Sequence, residues 1–152
     1  MSIVGLATRI EAPARAVWDH ISWEGMRCLA GGRLIERVEF AEPRNQVGSL
    51  KTYYIATGLP VVVKLLELDD AAMTYRYRIV DDGSALPGTD YVGCLRITPC
   101  GPQACHLKIE ASVTPIGVTE EEFRRIWTEM EWINVNDVRK LVERPNGSSA
   151  VA

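Results

Sequence analysis

Three observations predict an α+β fold in which a curved antiparallel sheet wraps one long helix. A strand at Ile3 to Glu11 runs straight into a short helix that opens Ala12-Pro13-Ala14-Arg15-Ala16-Val17-Trp18. Strand-like segments then recur at even spacing from Leu34 to Thr114, which is the pattern of an antiparallel meander. One long amphipathic helix, Thr119 to about Glu143, closes the chain. A sheet curved around such a helix leaves a cavity between them, so the order of elements points to a small-molecule pocket.

Each element has a local reason. Pro13 ends the first strand, because proline lacks the ladder donor yet fits the first turn of a helix. Helix one turns Ala16, Val17 and Ile21 inward beside Trp18, and Trp23 to Leu29 predicts a second short helix that Gly31-Gly32 breaks. Leu34 to Phe40 alternates as a half-buried strand does. Val47 to Ala56, Val61 to Leu68 and Met73 to Val80 follow, separated by turns at Thr57-Gly58-Leu59-Pro60 and Asp69-Asp70-Ala71-Ala72. Asp81 to Thr89 is a loop, and Tyr91 to Thr98 and Cys105 to Thr114 form the last hairpin. Thr119-Glu120-Glu121-Glu122 is a capping box for the final helix. That helix carries an apolar stripe of Phe123, Ile126, Trp127, Met130, Ile133, Asn134, Val138 and Leu141.

Composition narrows the function. The 152 residues, 47% apolar and 24% charged, suit one soluble domain, assigned to residues 1–143 with a flexible tail at 144–152. A net charge of -3 without any basic run argues against a nucleic-acid partner. No apolar stretch approaches the roughly 20 residues that span a bilayer, so no membrane partner is expected. The N-terminus lacks the pattern of a secretory signal, and a cytoplasmic location is the expectation. Cys28, Cys94, Cys100 and Cys105 form no CxxC pair and only two histidines exist, so the reading is reduced thiols and no metal.

Alternation assigns faces to most strands. Arg76 and Arg78 want water, so Tyr75, Tyr77 and Ile79 face the helix. Tyr91, Gly93, Leu95 and Ile97 point the same way, as do Cys105, Leu107, Ile109, Ala111 and Val113. Strands three and four stay open: either Ser49, Lys51, Tyr53 and Ile55 line the pocket, or Leu50, Thr52, Tyr54 and Ala56 do. Strand four is apolar on both faces, which fits either a covered outer face, as in a homodimer, or scattered surface residues on a monomer. Asn134 interrupts the apolar helix stripe and either orients a ligand or bonds a loop carbonyl. An aromatic and aliphatic cavity with few polar tips is the usual form of a small-ligand site.

Four segments carry a resemblance. Ile10-Glu-Ala-Pro-Ala-Arg-Ala-Val-Trp18, the strand start Val47-Gly48-Ser49-Leu50-Lys51, Leu65 to Asp70 with Tyr75 to Ile79, and Asp90 to Pro99 resemble the START/Bet v1-like superfamily. The likeness is nearest to its bacterial polyketide cyclase/dehydrase branch and covers about residues 3 to 143. It implies a helix-grip fold with seven strands around the C-terminal helix. It further implies an apolar or aromatic small-molecule partner and, in some members, cyclase, dehydratase or lyase activity without a cofactor. Three positions depart from the pattern. An internal Arg and Glu pair of many relatives corresponds to Lys51 and Val63, a Trp-His-Pro-like motif to Trp23-Glu24-Gly25-Met26, and a helix glycine to Asn134.

Three functions follow. The first is a cofactor-independent enzyme acting on an aromatic or polyketide-like molecule, with Lys51, Tyr77 and Asn134 as catalytic candidates. Tyr53, Tyr75, Tyr91, Leu95, Ile109, Trp127 and Met130 are its ligand-binding candidates. A lysine in an apolar cavity has its charged form disfavoured and becomes a usable base or amine nucleophile. The alternative is a non-catalytic carrier of an apolar small molecule, which needs only shape and one or two hydrogen bonds. A co-chaperone-like interaction module ranks last.

Overall fold

A computed structural model of the chain describes residues 1–29, 31–55, 59–80 and 86–143, without the side chains of Arg27 and Cys28. The predicted tail at 144–152 and most of the loop from Asp81 lie outside the described residues. Seven strands form one antiparallel sheet: β1 (Ser2–Ile10), β2 (Ile35–Phe40), β3 (Leu50–Ile55), β4 (Pro60–Asp69), β5 (Thr74–Ile79), β6 (Gly88–Pro99) and β7 (Cys105–Pro115). Their order is β1-β7-β6-β5-β4-β3-β2, so every pair is consecutive in sequence except β1 with β7. Helix α1 (Ala14–Ile21) follows β1, and α2 (Glu120–Val142) packs across the concave face. Only one α-helix precedes α2 among the described residues: the predicted second helix is a single 3-10 stretch, Gly25–Leu29. Ser22 forms the break, its backbone extended while its amide donates to the Trp18 carbonyl at 2.8 Å.

The core lies between sheet and helix. Leu107, Val113, Phe123 and Trp127 have no solvent exposure, and α1 adds Val17, Trp18 and Ile21. Thr119 caps α2, its hydroxyl accepting the Glu122 amide at 3.0 Å. The buried stripe of α2 runs Phe123, Trp127, Glu131, Asn134, Val135, Asp137 and Val138. Leu141, expected on that stripe, is 50% exposed, because Val138 and Val142 are the residues that the last turns of the helix present to the core.

The two options for β3 and β4 resolve to one face. Ser49 and Lys51 are buried, and Tyr53 and Ile55 continue their side. Opposite them Val61, Val63 and Leu65 point inward, with Lys51 paired directly to Val63. A register shift between Leu65 and Glu67 then moves Leu68, rather than Glu67, against the core. Cys94, Cys100 and Cys105 are free thiols, with burial pushing Cys105 up to about 11.

Candidate functional site

A cavity of about 90 Å³ lies between the middle turns of α2 and strands β2 to β7. Its inner wall is Tyr75, Tyr91, Leu95 and Ile109, with Val61, Val63, Ile35 and Met26 beside them. Leu34, Ile55, Ile79, Leu86 and Met130 are only half-buried and form the mouth. A cavity of roughly 150 Å³ takes a benzene ring and about 10–15 Å³ takes a water. The cavity therefore has room for several waters and is smaller than the space a benzene ring takes.

Four tyrosines make the polar tips of an otherwise aliphatic lining. Tyr75 and Tyr77 alternate onto the same face of β5, with ring centres 5.8 Å apart, and Tyr77 stacks on Tyr91 of β6 at 6.1 Å. Gly93 stands opposite Tyr77 in the register, and a side chain there would collide with the Tyr77 ring. The missing side chain lets that ring lie down on the sheet. Tyr75 donates to the Ile21 carbonyl at 3.3 Å, and Trp127 Nε1 donates to the Tyr91 hydroxyl at 2.6 Å. Burial raises all four phenols, Tyr53 included, well above their usual range, so each stays protonated.

Two polar groups of α2 face this wall. Glu131 and Asn134 are one turn apart, 8% and 6% exposed, and both line the cavity. Burial pushes the Glu131 carboxyl up to about 7, and its charge bears on all four phenols. The Asn134 carbonyl oxygen is fully buried and meets no donor among the described residues. Buried amide oxygens are seldom left so, because the lost hydrogen bond costs about 1–3 kcal/mol.

Of the residues selected from sequence, Tyr53, Tyr75, Tyr77, Tyr91, Leu95, Ile109, Met130 and Asn134 come together around this space. Lys51 and Trp127 stand just behind it. Lys51 Nζ donates to the Trp23 carbonyl at 2.8 Å and lies 4.1, 4.8 and 5.6 Å from the ring centres of Trp23, Tyr53 and Tyr75. Burial pulls its pKa well below the usual lysine value. Glu131 escapes a reading of the sequence, because Glu129-Met-Glu131 has the look of a solvated helix segment. Its signal is position: it follows Trp127 by four and Phe123 by eight residues, on the buried stripe. No helix among the described residues is long and apolar enough to cross a membrane.

The sequence matches the family described as polyketide cyclase/dehydrase and lipid transport over residues 3–144. No curated protein matches it. Among solved structures it is similar to the protein XoxI from Bacillus cereus, at 16% identity and a TM-score of 0.81, covering 93% of this chain and 96% of that one. An uncharacterised protein from Bacillus thuringiensis superposes with a TM-score of 0.80 at 15% identity, over 92% and 98% of the two chains. Truncated norcoclaurine synthase from Thalictrum flavum gives 0.69 at 18% identity, over 95% of each.

Proposed function

The chain belongs to the polyketide cyclase/dehydrase and lipid transport family, and from that premise we propose that it is a cofactor-independent enzyme of the cyclase, dehydratase or lyase type, acting on an aromatic or polyketide-like small molecule in the internal cavity. The observation that carries this reading is Glu131, a carboxyl buried in an aromatic cavity, where burial pushes its pKa up to about 7. A group poised near ambient pH can take a proton from a substrate and return it. With a ketone bound, the carboxylate removes a proton from the carbon beside the carbonyl, and negative charge develops on the carbonyl oxygen. Tyr77, Tyr91 and the amide of Asn134 are the donors available to that oxygen. Trp127 fixes the Tyr91 hydroxyl through the 2.6 Å bond, and Lys51 backs the rings of Tyr53 and Tyr75. That norcoclaurine synthase has the same fold supports the view that this architecture can house a catalyst.

Deuterium exchange into the single-ring ketone benzylacetone, followed by NMR in D2O, tests the proposal. The protein should accelerate exchange at the carbons beside the carbonyl at least tenfold over Glu131→Gln. The rate should rise with pH through about 7, as the carboxylate forms. A ketone that binds without faster exchange would replace catalysis by the carrier reading, which the largely apolar lining favours.

A further inference from the structure

We propose that the Glu131 and Asn134 end of the cavity is a binding site for a protonated amine carried on an aromatic or short apolar body. The inference rests on the reading of the cavity as a small-molecule site, and an ammonium held there occupies the Glu131 carboxylate in competition with its use as a base on a ketone. This end of the cavity holds an excess of acceptors. The Asn134 carbonyl oxygen is buried without a partner, and the Glu131 carboxyl stands one turn away on the same helix face. Glu131 belongs to none of the ion pairs among the described residues. Two acceptors side by side call for a ligand with several N–H donors, and an ammonium group has three.

Two donors near these acceptors are engaged elsewhere. The Tyr75 hydroxyl donates to the Ile21 carbonyl, away from α2. Lys51 is the nearby cation, yet it lies behind the wall with its ammonium nitrogen on the Trp23 carbonyl. It forms no ion pair with Glu131 among the described residues, and burial disfavours its charged form. The walls suit a cation, because tyrosine ring faces attract ammonium groups at short range. An anionic head would instead meet the Glu131 carboxylate and four electron-rich rings.

Calorimetric titration of the intact chain at pH 8 with three single-ring probes separates the possibilities. These are phenethylamine, the neutral phenethyl alcohol and the anionic phenylpropionate. The amine should bind at least tenfold tighter than the alcohol, with phenylpropionate weakest. Glu131→Gln should bring the amine down to the alcohol's affinity, and Asn134→Leu should weaken it severalfold. The wild-type comparison stands by itself if either variant misfolds. Alcohol or acid binding as tightly as the amine would overturn the amine site and leave the aromatic cavity intact. Binding of none of the three at millimolar concentration would overturn both.

Discussion

Helix α2 meets the sheet in two different ways along one stripe. Its first two turns are solid: Phe123 and Trp127 have no exposure, and Phe123 packs where Gly88 leaves no room for a side chain against Val113. One turn further, Met130, Glu131 and Asn134 face an open space, and two of the three are polar. The closed end sets where the helix lies, and the open end inherits that position without filling its own volume. Solid packing and the polar lining of the cavity thus sit on neighbouring turns, joined by the Trp127 bond to Tyr91.

Three substitutions break or sharpen this contrast. The largest effect is expected at the closed end. Phe123→Ala removes a fully buried ring and should cost about 3–5 kcal/mol in denaturant unfolding, leaving phenethyl alcohol affinity within twofold. An equally large loss of affinity would show that the two ends are not separable.

At the open end the sign reverses. Burial raises the Glu131 pKa from 4.5 to about 7, so the folded state holds its proton more tightly than the unfolded chain does. Its stability contribution is complete below 4.5 and is lost as pH rises through 7. Above that range the carboxylate costs about 3 kcal/mol, since each tenfold gain in proton affinity is worth roughly 1.4 kcal/mol. Glu131→Gln should therefore gain on wild type as pH climbs from 5 to 8, and thermal unfolding across that range reads the crossover. Parallel pH profiles would mean that the carboxyl is not buried in solution.

The smallest effect on stability, and the sharpest on the cavity, belongs to Gly93→Ala. The new methyl group must lift the Tyr77 ring off the sheet and into the cavity, at about 1–3 kcal/mol. Affinity for phenethyl alcohol should fall at least fivefold in titration. Unchanged affinity would show that the floor under Tyr77 does not set the cavity's depth.

Much of the architecture is legible in the sequence where a residue's chemistry and its period agree. Arg76 and Arg78 against Tyr75 and Tyr77 settle the faces of β5, and the Thr119 cap marks the start of α2. Legibility ends where the two diverge. Val61 to Leu68 is apolar on both faces, so alternation carries no direction, and the register shift after Leu65 changes parity within the strand. For Lys51, alternation leaves an inward and an outward option, and neither places it behind the tyrosine wall, since a period gives side and not depth. Glu131 is hidden by its residue type, because a charged side chain on a helix is ordinarily solvated.

The caged Lys51 has a consequence for how the chain titrates as it folds. In the unfolded chain at neutral pH this lysine is an ammonium and Glu131 is a carboxylate. Folding disfavours both charges, pulling Lys51 toward a free amine and Glu131 toward a neutral acid. One group gives up hydrogen ion while the other gathers it, with water as the courier. The interior becomes less zwitterionic, and the two exchanges act in opposite directions on the overall charge of the protein.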